Sequence, residues 1–396
     1  MEHKMNVYIY RYGSICEPDI IDSLKRLNCS VYEETVEVTN KNLTPSECVK
    51  IVSPQLLNNN YSFVFTINFF PWMSDLCKII NIPYISLIVD SPLTELYYDS
   101  LANNINRVFM FDKEMYNEFV HINPSHIFHI PLAANVIRIQ DTINNSPAEV
   151  KQQYKSDISF IGSTYQEKCL FNTINLPERE MGYANGLIEA QLKVYGYNFI
   201  ADCIDDNFVQ TFLKYNPQIY NMSTGFKPDY KNIIALQYIS VKAAEQERIR
   251  TLKYMSDLFN VDIYTRSDTS HMPNANNKGF AKSHEEMPLI FNQSKINLNI
   301  TAKSIRSGLS QRIFDVLASG GFLITNYQSE IPEIFEDGKD LVMYSDINQL
   351  RDLCSYYLEH EEERISIAQN GFNKVKELHN YDIRMFQIIE KAFGQS

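Results

Sequence analysis

Two stretches of strand length constrain the fold of this chain most: residues 62–68 (Ser-Phe-Val-Phe-Thr-Ile-Asn) and 83–89 (Pro-Tyr-Ile-Ser-Leu-Ile-Val) are nearly unbroken apolar runs. A strand with one wet face alternates apolar and polar residues. An unbroken run belongs to a strand covered on both faces, as in a parallel sheet layered by helices. Residues 6–10, 107–111 and 127–130 are further strand candidates, and residues 20–27 carry apolar positions at helical spacing. This alternation predicts a doubly wound α/β sheet. A second sheet is expected to begin at residues 157–162 (Asp-Ile-Ser-Phe-Ile-Gly) and to resume at 261–265.

At 396 residues the chain exceeds what one hydrophobic core usually serves, so two domains are expected. The first takes residues 1–138, a polar tract at 139–156 containing Asn144-Asn145-Ser146-Pro147 serves as linker, and the second takes 157–378. Residues 166–258 are mainly helical in pattern, longer than one crossover needs, and form a helical insertion in the second domain. A last helix occupies 379–396. The formal charge of −12, with no basic run, argues against nucleic acid or an anionic membrane as partner. No 18-residue apolar stretch predicts a membrane span. Seven scattered cysteines without CxxC spacing fit free thiols in a reducing cytoplasm, where we expect the protein to reside. Neither HExxH nor a His/Cys cluster is present, so no metal site is expected.

Chemistry concentrates where strands end. Open parallel sheets bind ligands beyond the carboxyl ends of their strands, and a helix starting there offers unpaired N–H groups to an anion. Residues 295–300 are expected as such a strand. Ser307-Gly308 then opens a helix that runs on through Ser310, with Arg312 one turn in and Asp315 almost one turn further. This suits a nucleotide diphosphate and its ribose diol. Asp315 is flanked by Ile313-Phe314 and Val316-Leu317, and a carboxylate among apolar residues needs a partner. Either a ribose diol or Arg312, three residues away, meets that need. Arg266, Arg312 and Lys168 are the cationic candidates for the diphosphate, with Lys303 and Arg306 as substitutes; each is otherwise a surface ion pair. Asp90 ends the 83–89 strand and is either a general base on an acceptor hydroxyl or the cap of an Asp-Ser-Pro turn. Asp112 has the sequence context of a helix N-cap. Tyr12-Gly13, after the first strand, are acceptor-side candidates.

These motifs carry a resemblance. Ser307 to Asp315 keeps the register of two acidic residues separated by seven, with Asp315 at the second position and Ser at the first. Ile331-Pro332-Glu333 leading to Asp337-Gly338 matches a "PE…DG" turn, and Gly162-Ser163-Thr164-Tyr165-Gln166-Glu167-Lys168 parallels "G-R-x-x-x-E-K" with Ser163 in place of the Arg. The chain thereby resembles the group 1 glycosyltransferases of the GT-B fold. It is more similar still to their CgeB-like, spore-maturation type, through Val89-Asp90-Ser91-Pro92 and Arg266-Ser267-Asp268. The resemblance implies a GT-B architecture: two Rossmann-like doubly wound domains facing a cleft, with the terminal helix crossing back to the first. It also implies a hexosyltransferase using a nucleotide-sugar donor, a UDP-sugar by family habit, without a required metal. Gly162, Lys168 and Asp315 would meet the nucleotide, and Gly279-Phe280 would meet the base. The acceptor would be a hydroxyl of a surface protein such as flagellin or spore coat, or of a polysaccharide. Alternatives on this fold are a sugar-nucleotide epimerase and a non-catalytic coat-assembly protein.

Overall fold

The unbroken apolar runs become inner strands of a six-stranded parallel sheet in the computed structural model, which describes residues 4–219 and 223–394. The strands are β1 (Asn6–Tyr10), β2 (Ser30–Glu34), β3 (Phe63–Ile67), β4 (Tyr84–Ile88), β5 (Asn106–Met110) and β6 (Ile127–His129), in the order β2-β1-β3-β4-β5-β6. Every residue of β3 and β4 is buried. Successive residues feed two cores, as pleating requires. Val7 and Ile9 of β1, Phe63, Phe65 and Ile67 of β3, and Ile85 and Leu87 of β4 pack with Ile20, Leu24, Met385 and Ile388. Tyr8, Tyr10, Val64, Tyr84 and Ile88 pack on the other face with Val52, Leu56, Met73 and Leu76.

A second six-stranded parallel sheet contains β7 (Ser156–Ile161), β8 (Val261–Tyr264), β9 (Asn276–Gly279), β10 (Ser294–Asn299), β11 (Leu323–Asn326) and β12 (Val342–Tyr344), ordered β12-β11-β10-β7-β8-β9. Its strand β10 has two characters. Ile296 and Leu298 enter the apolar core with Leu252, Met255 and Leu350. Asn297 and Asn299, on the other face, are buried but fully employed: Ser159 Oγ donates to Asn297 Oδ1 (3.0 Å), and Asn299 Nδ2 donates to Thr301 and Thr325 hydroxyls (both 2.9 Å).

The chain divides into two units. The first holds residues up to Asn135, a short return at 223–228 and the C-terminal helix Tyr381–Phe393; the second holds the remainder. The tract expected as a linker, 139–156, is instead mostly helix (Val136–Asn145 and Ala148–Gln152) and belongs to the second unit. The apolar positions Val136, Ile139 and Ile143 share one face of that first helix and are buried, which outweighs the turn-forming Asn-Asn-Ser-Pro at its end. Between β7 and β8 the chain is helical, including Glu178–Gln191, Asp206–Tyr215, a π-helical stretch Ile234–Ser240 and the long helix Val241–Leu258.

Gly371, within the helix Glu361–Leu378, marks the tightest contact in the second unit. A Cβ there would lie 2.3 Å from the Asp340 carbonyl oxygen and 2.7 Å from Leu317 Cδ2. Backbone cannot yield as a flexible side chain can, so Gly371→Ala is expected to destabilise the unit by about 3 kcal/mol. That corresponds to roughly a 6–12 °C fall in melting temperature. A calorimetric scan of the variant within 2 °C or so of wild type would show that the helix can simply shift.

Candidate functional site

In both sheets the order reverses beside the first strand: between β1 and β3 in one, between β7 and β10 in the other. Loops leaving the two strands at such a point diverge, which opens the crevice where open α/β sheets bind ligands.

In the second sheet this point is held by Arg248, which the sequence gave no reason to select. Its guanidinium donates from Nη1 to the Ser163 carbonyl (2.6 Å) and from Nε and Nη2 to the Ile300 carbonyl (3.1 and 2.6 Å). It thus ties the loop after β7 to the loop after β10, and it stacks 4.4 Å from the Tyr165 ring. Three of its five N–H groups are used in these bonds, so two remain for an anion. Gly162 opens the β7 loop with a fully extended backbone, and a Cβ there would press on Phe160 and Arg248 at 3.3–3.4 Å. Ser267 then joins the loops after β7 and β8. Its Oγ accepts from the Thr164 N–H (2.9 Å) and donates to Glu167 (3.0 Å), which also accepts from Ser163 Oγ (2.7 Å). Burial alone would raise the Glu167 pKa, but these hydrogen bonds and nearby Lys168 hold it below the usual carboxylate range. Lys168 itself is exposed and makes no ion pair among the described residues.

Arg266, just past β8, lies flat on the Phe280 ring, 3.8 Å from its centroid, just past β9. Phe280 is half exposed, so it is a surface platform and not a core residue. Gly279, at φ +78°, allows the turn that presents it.

The helix carrying Asp315 starts at Gln311, with Ser310 at its N-cap, and not at Ser307-Gly308 as expected. Residues 301–310 run as a loop because their polar groups bind β-strand ends: Thr301 N–H donates to Asn326 Oδ1 (2.8 Å), and Ser310 Oγ donates to Asn299 Oδ1 (3.3 Å). Ser307 is buried and donates to the buried Glu330 carboxylate (2.6 Å). A carboxylate is therefore present beside position 307, but it comes from the loop after β11 and bonds to protein. Gly308 is likewise buried, its carbonyl near Gln328 Nε2 (3.5 Å). Asp315 is 23% exposed; Gln311 Nε2 donates to it (2.9 Å), and Arg312 Nη1 stands 3.8 Å away. Arg312 also packs on Met287 Sδ (3.1 Å) and the Phe291 ring, so its charge serves the Asp315 neighbourhood more than an open loop. Lys303, a substitute cation in the sequence, is buried against Glu247 (3.1 Å) and Tyr195, which removes it from consideration. An open pocket of about 220 Å³ lies near Lys303 and Arg306. Its amides are internally satisfied: Asn198 Nδ2 donates to Ser240 Oγ and the Lys303 carbonyl, and Asn326 Nδ2 to the Thr301 carbonyl.

In the first sheet, Asn68 takes the left-handed conformation (φ +58°) directly after β3 and is the residue sequence reasoning missed. Its Oδ1 accepts from the Val89 N–H (3.0 Å). Its Nδ2 donates to Asp90 Oδ2 (2.7 Å) and to the Tyr12 hydroxyl (3.0 Å), so one amide joins the ends of β1, β3 and β4. Asp90 is exposed, so its second oxygen faces solvent. The Tyr12-Gly13 turn is not an anion cradle. Both N–H groups donate to Glu17 Oε1 (2.9 and 3.1 Å), a buried carboxylate that fills the loop from inside. Asp112 is buried and caps its helix through the Glu114 and Met115 N–H groups.

Residues 246–390 match the model of a family described as glycosyl transferase-like. No curated protein matches the chain by sequence. Solved structures do match over its whole length. HepE of Anabaena, in complex with UDP and glucose, aligns with a TM-score of 0.54 at 9% identity, over 98% of this chain and 100% of that one. A glycosyltransferase from Rickettsia africae aligns at 0.54 and 12%, over 100% of both chains. Sucrose-phosphate synthase of Thermosynechococcus elongatus aligns at 0.54 and 10%, over 99% and 100%. At these identities the likeness is one of fold, and the fold is GT-B.

Proposed function

We propose that this protein is a glycosyltransferase that moves a hexose from a UDP-sugar to a hydroxyl of a protein or glycan, and that the CgeB-like type is its nearest pattern. The observation that carries this is the convergence at one carboxyl edge of the second sheet. The Arg248 clamp at Gly162-Ser163, the Arg266–Phe280 stack and the half-exposed Asp315 all lie there. They match the three parts of a nucleoside diphosphate in kind: cationic N–H groups for phosphate, an aromatic face for the base and a carboxylate for the ribose diol. The glycosyl transferase-like match over 246–390 and the UDP held by HepE support the same reading.

In this reading the acceptor oxygen bonds to the donor's anomeric carbon as the bond to the diphosphate breaks, and UDP leaves with the electron pair. Asp90 takes the acceptor's proton. Among the described residues no group of three or more His, Cys, Asp or Glu side chains could hold a metal ion. The charge on the leaving diphosphate therefore falls to Arg248, Arg266 and Lys168. Six of the seven cysteines are buried free thiols, which supports a reducing compartment, and among the described residues no helix is long and apolar enough to cross a membrane.

Thermal stabilisation tests the donor assignment. A UDP-sugar at 100 times its Kd should add about 2.7 kcal/mol to stability. If no member of a sugar-nucleotide panel raises the melting temperature, the proposal fails. For the acceptor side, Asp90→Asn keeps the shape and the Asn68 contact while removing the base. Turnover should fall by about 10²–10⁴-fold with UDP affinity intact. Wild-type turnover in that variant would take Asp90 out of the chemistry.

A further inference from the structure

A half-buried aromatic wall stands beside Asp90, and nothing in the donor chemistry uses it. Tyr12 meets Phe70 edge-on at 5.8 Å between ring centroids, Phe70 meets Trp72 at 6.0 Å, and Trp72 rests against the buried Tyr10 at 5.1 Å. Tyr12 follows β1 while Phe70 and Trp72 follow β3, so the wall lies at the point where the first sheet reverses its order. The indole Nε1 of Trp72 makes no hydrogen bond to protein among the described residues. Below the wall, the Asn68 amide holds the Tyr12 hydroxyl and the Asp90 carboxylate in register, one donor to each. Its left-handed backbone is the sort of strained conformation that surrounding structure must maintain.

The chemistry of this surface selects among acceptors. A pyranose ring presents C–H groups on its face and hydroxyls on its rim. It thus fits an aromatic face edged by a carboxylate, a phenol and an indole N–H. An extended peptide would need unpaired strand backbone to bind by augmentation. Here β1, β3 and β4 are inner strands whose backbone is already paired on both sides. A polyanionic glycan would meet Asp90 on a chain of net charge −12. We infer that the wall of Tyr12, Phe70 and Trp72 is the acceptor site for a neutral pyranose-containing glycan, an assignment that rests on reading the protein as a glycosyltransferase. The sugar lies on Phe70 and Trp72, and its rim hydroxyls reach Tyr12 and Asp90.

Trp72 is the single tryptophan of the chain, so intrinsic fluorescence reports on this site alone. The full-length protein would be titrated with maltose, cellobiose, lactose and N,N′-diacetylchitobiose, and with a Ser/Thr-rich peptide as the rival acceptor. At least one disaccharide should change the emission saturably, and the peptide should not. Tyr12→Phe, which removes only the hydroxyl, should weaken that disaccharide about fivefold, the scale of one neutral hydrogen bond. Trp72→Leu, followed by calorimetry, should weaken it about tenfold or more. Both variants should keep wild-type melting and UDP affinity, and Tyr12→Phe should raise the acceptor KM while leaving kcat within about twofold. Silence across all four disaccharides, a response to the peptide only, or wild-type disaccharide affinity in Tyr12→Phe would each overturn the assignment. Disaccharide binding without any UDP binding would instead sink the donor reading and leave a carbohydrate site standing.

Discussion

Asp315→Ala is expected to weaken UDP binding by about 100-fold while leaving the fold intact. The carboxylate sits one helical turn past the N-cap Ser310, and it is 23% exposed, open enough to reach a ligand. A charge-assisted hydrogen bond contributes about 1.5–3 kcal/mol, and a vicinal diol offers two to one carboxylate. Losing about 3 kcal/mol of that corresponds to two decades in Kd. On the protein side the cost is small. Gln311 loses one acceptor, and Arg312 at 3.8 Å keeps its contacts to Met287 Sδ and the Phe291 ring. Melting temperature should therefore stay close to wild type, which separates a lost ligand contact from a damaged helix. Asp315→Asn sharpens the test, since it keeps shape and one acceptor oxygen but removes the charge, and should fall between wild type and the alanine variant. Calorimetric titration with UDP decides the matter: an unchanged Kd in Asp315→Ala removes the ribose contact from the site.

The strands were legible where burial on both faces wrote an apolar run, as in β3 and β4, and illegible where it did not. β2 is an edge strand, Ser-Val-Tyr-Glu-Glu, half-buried throughout, so its composition carries no strand signature. β12 is three residues long. The start of the Asp315 helix was misplaced by three residues because two serines, Ser307 and Ser310, both suit an N-cap. Tertiary hydrogen bonds from the 301–310 loop to β10 and β11 choose the later one. Asp90, Arg266, Gly162 and Phe280 were readable because a residue just past a strand has a defined place at the sheet's carboxyl edge. Asn68 and Arg248 were not. Asn68 acts through a left-handed backbone that aims its amide between two neighbouring strands, and no local pattern announces that. Arg248 lies mid-helix, 85 residues from Ser163 in sequence, and its role exists only once the helix Val241–Leu258 is laid along the sheet.

That distance is why Arg248 supports the strongest test of the site's construction. Arg248→Lys keeps the charge but cannot keep the fork. One ammonium on a flexible stem cannot donate to both the Ser163 and Ile300 carbonyls in the geometry a planar guanidinium gives, nor stack on Tyr165. At least one of the two acceptors is then left short of a partner, at about 1–3 kcal/mol. The second unit should lose that much stability, several degrees in melting temperature. The functional loss should exceed the structural one. The β7 and β10 loops are no longer tied at the sheet's reversal, and the spare N–H groups that point to an anion are gone. UDP affinity, measured well below the melting transition so that the protein is folded, is therefore expected to fall by about tenfold or more, a drop of 1.4 kcal/mol at least. A purely structural clamp predicts a different pair of results: lower melting temperature with wild-type UDP affinity in the folded protein. Finding that pair would assign Arg248 to the architecture of the sheet and return the diphosphate to Arg266 and Lys168 alone.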